Sequence, residues 1–466
     1  MSKYIKLFDN TEDYLDTLDE IKASEEGLRV LVSRCEPQEE GDRPTIHYDI
    51  YPGVLVTYNV SSITGDTKLC TTTNYRTVEI DSENEDVKYT DYKFSSKGEH
   101  LVRFRGFNTN YAIDDDFFKE CTKLTGFVLD EGIISLRINC FDGCTGLKFI
   151  NIPKTVKSIG GITHNPFINC SSLIKITVDE NNPYFDSRND FNAIIETATN
   201  KLVTGCMNTV IPNDIVTIRD EAFWGCSGLK SIGGVGSGAQ LILPDSVTSI
   251  ENYAFYACKN IKSLNIPSTV TSISYFAFVY NAALTRITVD SGNPIYDSRN
   301  DCNAIIETAE NSLLKGCRNT IIPNDITTIG KNAFHNCPSL RNIVIPNSVT
   351  KIDDYAFNGA GLRNVSLPNS ITYIGKQSFE SCYFLESFVI PESVTTIGDN
   401  AFRNSSETYN TKCTYYVNAT TPPTLGQTAF TKRKVEAIYV PSESVEAYKT
   451  APNWSNYADL IMAATN

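Results

Sequence analysis

The sequence predicts a β-rich α/β solenoid that follows a small N-terminal β domain. Two observations support this prediction: corresponding prolines recur at a nearly fixed spacing, and each interval between them contains one phenylalanine at a matching position. The steps from Pro323 to Pro346, Pro368 and Pro391 are 23, 22 and 23 residues. A period of this length indicates a stack of small units, none of which can bury its apolar face alone.

The residues of one period explain how a coil is built. Ile343 and Ile345 alternate as in a short strand with inward side chains two residues apart, and Pro346 ends that strand because it has no N–H group. Ile352 points inward again, and Phe357 supplies one large aromatic side chain, here called the plug. The plugs along the chain are Phe118, Phe141, Phe167, Phe223, Phe255, Phe278, Phe334, Phe357, Phe379, Phe402 and Phe430.

Composition and charge narrow the possible partners. The chain has 466 residues and a formal charge of −14, from 41 basic and 55 acidic residues. This acidic balance argues against nucleic acid as a partner. No apolar run of about 18 residues occurs, so we expect no membrane insertion. The first residues also lack the apolar segment of a secretion signal, so we expect a chain that stays in the cytoplasm, leaves by lysis or particle assembly, or has lost its signal.

Half of the fourteen cysteines share one position, three residues after the plug. Asn281 and Ala360 take this position in other coils, so it is a small buried site, and we expect free, packed thiols. A zinc site is not supported, because only Cys140 and Cys144 are close in sequence and no histidine joins them. The seven cysteines are Cys121, Cys144, Cys170, Cys226, Cys258, Cys337 and Cys382.

The chain divides into three predicted regions. Residues 1–105 form a β-rich domain, with a possible separate tip at 1–43; residues 106–430 form the solenoid; residues 431–466 form a C-terminal cap. In the first region the patterns predict a helix at 12–22, strands at 28–32, 53–60, 77–81 and 100–104, and a turn at 97–99. In the cap they predict a last strand at 435–441 and a helix at 444–450 with Ser442 as N-cap, while Trp454, Tyr457, Leu460 and Ile461 cover the open end.

Two insertions in the solenoid repeat each other. Residues 176–226 align with residues 287–337 at a constant offset of 111, and the two hairpin insertions span 176–210 and 287–321. Each contains the motif Asp-Ser-Arg-Asn-Asp-x-Asn between two strand patterns, which predicts an Asx-shaped turn. A cation loop is the alternative, since Asp186, Asp190 and Asn192 offer oxygens, but the bidentate glutamate and the glycine of a calcium loop are missing. A further insertion, Gly233–Gly238, has the composition of a flexible loop.

The repeat unit I-P-x-S-V-T-x-I-G-x-x-A-F-x-x-C-x-x-L resembles the BspA-like, or Treponema pallidum-type, leucine-rich repeats. The matching segments include 266–284, 345–362 and 390–402, and the similarity covers roughly residues 112–430. The hairpin coils and cap look like those of gut Bacteroides members, and the start Tyr4–Phe8 is similar to Bacteroides-phage repeat proteins. The resemblance implies a right-handed leucine-rich-repeat solenoid, located outside the cell, on its surface or in a virion, that acts in adhesion.

No catalytic constellation, cofactor motif or metal-ligand cluster emerges, so we expect a protein that is not an enzyme and has no cofactor. The residue after the strand-opening Leu or Ile is basic in five coils, which predicts a partial basic column beside the strands; Lys230 is one of the five. The alternative is a solvated edge offset by carboxylates. Candidate ligand contacts are Lys148, Asn151, Lys262, Asn265, Arg341, Asn342, Arg363, Asn364 and Ser387.

Two functions are consistent with these patterns. The first is a non-enzymatic binding or adhesion scaffold that recognises a protein or glycan on a cell surface through the extended face of the solenoid. The second is a structural component of a phage particle or surface layer, attached through the N-terminal β domain. The sequence indicates neither the ligand nor the oligomeric state.

Overall fold

The computed structural model describes residues 53–464, except 63–64, 74, 76, 82, 86–89, 108–110, 162–163, 228–239, 405 and 407–410. Five predictions lie outside the described residues: the helix at 12–22, the strand at 28–32, the tip at 1–43, the Gly233–Gly238 loop and the position of Lys230.

The N-terminal strands form a sheet that continues into the first coils. The strands are β1 (Gly53–Val60), β2 (Thr67–Lys68), β3 (Thr77–Ile80), β4 (Glu83–Glu85), β5 (Asp91–Tyr92), β6 (Gly98–Arg105), β7 (Ala112–Ile113) and β8 (Leu124–Leu129). The sheet order is β4-β3-β6-β1-β8, and β2 pairs with β5. Strand β1 is antiparallel to both neighbours, with Val56 opposite Val102 and Phe127. The predicted turn at 97–99 is partly wrong, because Gly98 pairs with Val60 and begins β6.

Each plain coil contributes a long strand before the proline and a two-residue strand after it. Through the second hairpin the strands are β9 (Ser135–Leu136), β10 (Phe149–Ile152), β11 (Ser158–Ile159), β12 (Lys175–Val178), β13 (Phe185–Asp186), β14 (Ala193–Glu196), β15 (Lys201–Gly205), β16 (Thr217–Ile218), β17 (Gln240–Ile242), β18 (Ser249–Ile250), β19 (Ser263–Ile266), β20 (Ser272–Ile273), β21 (Arg286–Val289), β22 (Tyr296–Asp297), β23 (Ala304–Glu307) and β24 (Ser312–Gly316).

The remaining coils are built from β25 (Thr328–Ile329), β26 (Asn342–Val344), β27 (Lys351–Ile352), β28 (Asn364–Ser366), β29 (Tyr373–Ile374), β30 (Ser387–Ile390), β31 (Thr396–Ile397), β32 (Cys413–Val417), β33 (Thr424–Leu425), β34 (Val435–Val440), α1 (Val445–Thr450) and β35 (Ile461–Ala463). Short 3-10 turns lie at Arg299–Asp301, Lys432–Lys434, Ser442–Ser444 and Trp454–Leu460. The predicted β-rich solenoid is therefore confirmed, with about 14 turns and little helix in the described chain.

The two kinds of strand line different sides of the coils. Short strands pair in parallel as β7-β9-β11, and two larger sheets, β13-β14-β15-β16-β18-β20 and β22-β23-β24-β25-β27-β29-β31-β33, each begin with a hairpin insertion. Long strands form the sheets β10-β12, β17-β19-β21, β26-β28 and β30-β32-β34-β35. We call the outward surface of the long strands the long-strand face. The turn that carries the plug, the plug loop, forms the third side.

The plugs stack on one another in the core. The rings of Phe334 and Phe357 are parallel within 2°, with centroids 5.0 Å apart, and Phe357 lies 5.2 Å from Phe379. The N–H of Phe255 donates to the carbonyl of Ala277 in the next coil at 2.9 Å. Every plug is buried. Aromatic stacking and backbone pairing thus fix the register between coils.

The cysteine position three residues after the plug has a specific hydrogen-bonding role. The Sγ atoms of Cys144, Cys258 and Cys382 lie 3.0, 3.1 and 3.2 Å from the carbonyl oxygen of the plug in the preceding coil, and the thiols donate to it. All thirteen cysteines in the described residues are buried and free, as predicted. Burial raises the pKa of the Cys258 thiol well above its ordinary value, which keeps it protonated as a donor.

Each hairpin insertion crosses the core as a partition. In the first hairpin Ile194 and Val203 pack into the core on the N-terminal side, whereas Ile195 and Leu202 pack into the core on the C-terminal side. The sequence pattern predicts a hairpin that lengthens a coil; the structure adds that both of its faces are buried. Gly205 ends the first hairpin and takes the place of a plug, because its N–H donates to the carbonyl of Ala222 at 2.9 Å.

The C-terminal end covers the last coil. Trp454, Tyr457 and Ile461 are buried against the final coils, and the Tyr457 hydroxyl donates to the Phe430 carbonyl at 2.8 Å.

Two predictions for the C-terminal cap are wrong. Strand β34 is not the last strand, because β35 pairs with it in parallel. Ser442 is not the N-cap of α1, because Ser442–Ser444 form a 3-10 turn and Ser444 precedes the helix.

Candidate functional site

The outward residues of the long-strand face form two rows that alternate along each strand. The pairing of β26 with β28 places Asn342 beside Asn364 and Val344 beside Ser366. Asn342, Asn364 and Ser387 are all exposed, as predicted for contact residues. Because inward residues alternate with them, these outward side chains are free to contact another molecule.

The predicted asparagines of the earlier coils belong to the other row. Asn151 pairs with Thr177, and its Oδ1 accepts a hydrogen bond from the Thr177 hydroxyl at 3.0 Å. Asn265 makes the same contact with Thr288 at 2.8 Å. Both asparagines are half-buried, and their positions in the coil correspond to Val344. The candidate residues therefore do not form one continuous row.

The predicted basic column is only partly assembled. Lys148 and Lys262 are exposed, but their backbone neighbours in the adjoining coils are Thr125 and Ile174 for Lys148, and Thr285 for Lys262. Among the described residues, the only predicted basic residues that adjoin each other are Arg341 and Arg363. The N–H of Arg363 donates to the carbonyl of Arg341 at 2.9 Å.

Arg341 and Arg363 share an aromatic support. Their guanidinium carbons lie 4.8 Å and 6.0 Å from the centroid of the Phe384 ring. Nη1 of Arg341 also donates to the carbonyl of Gly361 at 3.1 Å. Within the part of the chain that the structure describes, no ion pair joins either guanidinium to a carboxylate. The two cations are thus positioned and exposed on an otherwise acidic protein.

Sequence reasoning missed an apolar row beside these arginines. The row, here called the apolar row, runs across neighbouring strands, and its pairings join Val389 to Tyr416, Tyr416 to Tyr439 and Tyr439 to Met462. Val344 is 84% exposed and Met462 is 42% exposed, which is unusual for large apolar side chains. The apolar row consists of Val344, Val389, Tyr416, Tyr439 and Met462, and the coil between Val344 and Val389 has the polar Ser366 at the same position.

A signal for the apolar row is present in the sequence. The outward position between two inward residues is Asn151 or Asn265 in earlier coils but Val344 and Val389 in later ones. A count of apolar residues alone assigns all of them to the core. Only the period-two alternation shows that Val344 lies opposite to its neighbours Ile343 and Ile345.

The duplicated Asp-Ser-Arg-Asn-Asp-x-Asn loop is organised by its arginine. In the second copy Nε and Nη2 of Arg299 donate to the two carboxylate oxygens of Asp297 at 2.9 and 2.6 Å, and Nη1 donates to Asn311 and Asp325. The hydrogen bonds that Arg299 donates to Asp297 raise the pKa of its guanidinium. The first copy repeats this arrangement around Arg188. The aspartate that a cation loop would use is therefore occupied by arginine.

The loop residues also cover a strand edge. The hydroxyl oxygen of Ser187 accepts a hydrogen bond from the N–H of Val178 at 3.1 Å, which satisfies an edge group of β12. Asn189, Asp190 and Asn192 have φ near +55°, a left-handed conformation that asparagine and aspartate tolerate better than most residues. The motif thus shapes and closes the hairpin, as the Asx-turn interpretation predicts.

The histidines and carboxylates of the described residues do not come together as a metal site. No group of three or more His, Cys, Asp or Glu side chains is arranged to hold a metal ion there. His100 contacts Asp81 at 2.7 Å, and His335 contacts Asn332 at 2.9 Å. No helix in that part of the chain is long and apolar enough to cross a bilayer.

The stacked coils, the plugs and the parallel long strands define a leucine-rich-repeat solenoid. The chain belongs to the BspA type leucine rich repeat family, which it matches in six copies over residues 111–232, 234–311 and 308–436. Proteins of this family are typically surface-associated binding scaffolds. The comparison with curated proteins gave no match.

Solved structures of bacterial repeat proteins are similar to this chain. A leucine rich cell surface protein from Faecalibacterium prausnitzii is 24% identical, with a TM-score of 0.40, over 73% of this chain and 85% of that one. The pneumococcal vaccine antigen PcpA is 14% identical, with a TM-score of 0.39, over 72% and 73%. The Treponema pallidum leucine rich repeat protein is 24% identical, with a TM-score of 0.25, over 41% and 75%.

Proposed function

We propose that this protein is a non-enzymatic binding scaffold that attaches to a protein on a cell surface through the C-terminal part of its long-strand face. The observation that carries the proposal is the apolar row, a strip of large and mostly exposed side chains near two arginines that form no ion pair within the described residues. Exposed apolar patches and arginines are typical of protein-binding surfaces. The family's character as surface-associated scaffolds supports the same assignment.

The arrangement also indicates the chemistry of the partner surface. Tyr416 and Tyr439 stack with centroids 5.3 Å apart, which presents a rigid aromatic contact at the centre of the apolar row. Arg341 and Arg363 lie at the margin, where carboxylates of a partner would be attracted. A partner with an apolar centre and acidic flanks fits this surface.

The experiment measures binding of the labelled protein to cultured epithelial cells and to intact bacterial cells. We expect saturable binding that Tyr416→Glu reduces at least about tenfold, because a buried carboxylate replaces an interface anchor. The paired variant Arg341→Glu and Arg363→Glu should weaken binding most at low salt. Thr372→Glu is the control, since Thr372 is exposed beside the short strand β29 and should leave binding unchanged.

Two results would contradict the proposal. One is the absence of saturable binding to either kind of cell. The other is equal binding by the wild type and the Tyr416→Glu variant, provided that both melt at the same temperature. A chain that binds no cell but copurifies as a stable oligomer with phage particles or a surface layer would favour the structural role instead.

A further inference from the structure

A second exposed surface lies on the plug loops, away from the long-strand face. Six aromatic side chains from four successive plug loops form an aromatic ridge, and every one of them is partly exposed. Their ring centroids lie 4.1 to 5.2 Å from the next ring along the ridge. The aromatic ridge consists of Trp224, Tyr253, Tyr256, Phe276, Tyr280 and His335.

The repeat itself does not require these rings. The residue directly after the plug is Trp224, Tyr256 or His335 in the ridge, but Asp142 and Glu380 elsewhere. The plugs already fill the core with nearly parallel rings, whereas the ridge rings are tilted by 32° to 50° and remain accessible. The aromatic residues are therefore an addition to this part of the chain.

Unpaired buried polar groups adjoin the ridge. Asn281 follows Tyr280 and is 4% exposed, yet neither Oδ1 nor Nδ2 has a hydrogen-bond partner in the described residues. Asn332 contacts His335 and is 1% exposed, and its Nδ2 is also unpaired there.

The first hairpin coil provides an internal comparison. At the offset of 111, Cys170 corresponds to Asn281, and its thiol donates to the carbonyl of Phe141 at 3.2 Å. Glu221 corresponds to Asn332, and it accepts a hydrogen bond from the N–H of Asn165 at 2.9 Å. The same positions are thus paired in the first copy, whereas in the second copy both amide atoms of Asn281 and the Nδ2 of Asn332 have no partner in the described residues.

The groups of the ridge carry no charge near neutral pH. Burial and the nearby Lys315 lower the pKa of His335 to about 4, so its ring is neutral. Burial raises the pKa of Tyr256 to about 12, so its hydroxyl keeps its proton. Lys331 lies at the margin, 5.4 Å from the Phe276 ring. The ridge therefore presents uncharged ring faces and hydroxyls, with the cation of Lys331 at its margin.

We infer that the aromatic ridge is a binding site for a neutral oligosaccharide. The C–H faces of pyranose rings pack on aromatic side chains, while their hydroxyls can pair with the hydroxyls of Tyr253, Tyr256 and Tyr280. Four coils at about 4.8 Å each give the ridge a length that suits several sugar units. This site is separate from the protein-binding surface proposed above and does not depend on it.

The test screens the full-length protein against immobilised neutral and anionic oligosaccharides and then titrates the best neutral one in solution. We expect selective neutral binding that changes the fluorescence of Trp224; the second tryptophan, Trp454, is buried in the cap. Tyr280→Ala should weaken binding at least about tenfold. Asn281→Cys should fold normally and bind as the wild type does, because Asn281 is buried beneath the ridge and cysteine is the usual residue at this position.

Tyr416→Ala is the matched control, since it removes a tyrosine from the apolar row and should leave the oligosaccharide affinity unchanged. The inference is overturned if no neutral oligosaccharide binds, if only anionic ones bind, or if Tyr280→Ala binds as the wild type does. Loss of cell binding in Tyr416→Glu with intact oligosaccharide affinity would show that the two surfaces act independently.

Discussion

Gly316 lies where a plug phenylalanine lies in a plain coil. A Cβ atom added to Gly316 would lie 2.2 Å from Cε1 of Phe334, so the side chain of the next plug fills the space above the glycine. The same relation holds between Gly205 and Phe223 at 2.0 Å. In each hairpin coil, the ring of the next plug along the chain thus fills the volume that a phenylalanine at the glycine position would occupy.

Gly316→Ala should therefore destabilise the protein by about 1–3 kcal/mol through overpacking. Chemical denaturation followed by circular dichroism measures this change. Gly126→Ala is the control, because a Cβ at Gly126 meets nothing within 4 Å and should change stability by no more than about 0.5 kcal/mol. Equal stability of the two variants would show that Phe334 does not pack on Gly316.

For single residues, the sequence predicts the positions of the plugs and of the buried cysteines, because both recur with the repeat period. It does not predict the unpaired Asn281, since an occasional asparagine at a small position looks like a tolerated substitution. The N-cap at Ser442 failed for a different reason. The Ser444 hydroxyl bonds to the Thr420 carbonyl at 2.7 Å, so tertiary contacts determine how α1 begins.

Among the elements, the two hairpins depend most on a single side chain. Arg299 joins Asp297 in the first strand of the hairpin to Asn311 in its turn and to Asp325 beyond it. A lysine cannot reproduce this forked set of hydrogen bonds. The arginine therefore connects three segments that are distant in sequence.

Arg299→Lys should lower stability by about 1 kcal/mol and speed amide exchange in β22 and β23. Hydrogen exchange with mass spectrometry resolves these strands from the rest of the chain. Arg286→Lys is the control, because Arg286 is exposed on β21 and should leave exchange unchanged. Unchanged exchange in Arg299→Lys would mean that the turn conformation alone holds the hairpin.

The sequence reveals the hairpins through their constant offset, but it does not reveal that they divide the core. Burial on both faces depends on what packs against each face, and that is set by the neighbouring coils. One sign of this burial on both faces is present in the sequence. Ala193, Ile194 and Ile195 are consecutive apolar residues, which is typical of strands covered on both sides. The alternation expected for a strand covered on one side is absent there.

For the whole molecule, the period predicts the solenoid because each coil repeats the same inward residues. The functional surfaces are less predictable, because they use outward residues that vary from coil to coil. Of the predicted basic column, only Arg341 and Arg363 adjoin each other in the described chain, and they lie near the apolar row. The aromatic ridge brings together residues up to 111 positions apart, from Trp224 to His335. Only the stacking of coils shows that such residues adjoin.

The central claim is that successive coils present the same inward positions to a stack of buried cores, which the hairpins divide, and that the outward faces are left free to bind. Native thiol labelling, with mass spectrometry to locate each label, tests it most directly. The structure predicts that the thirteen cysteines of the described chain resist labelling until denaturant is added. Rapid native labelling of Cys144, Cys258 and Cys382 would contradict the stacked coils and, with them, both proposed surfaces.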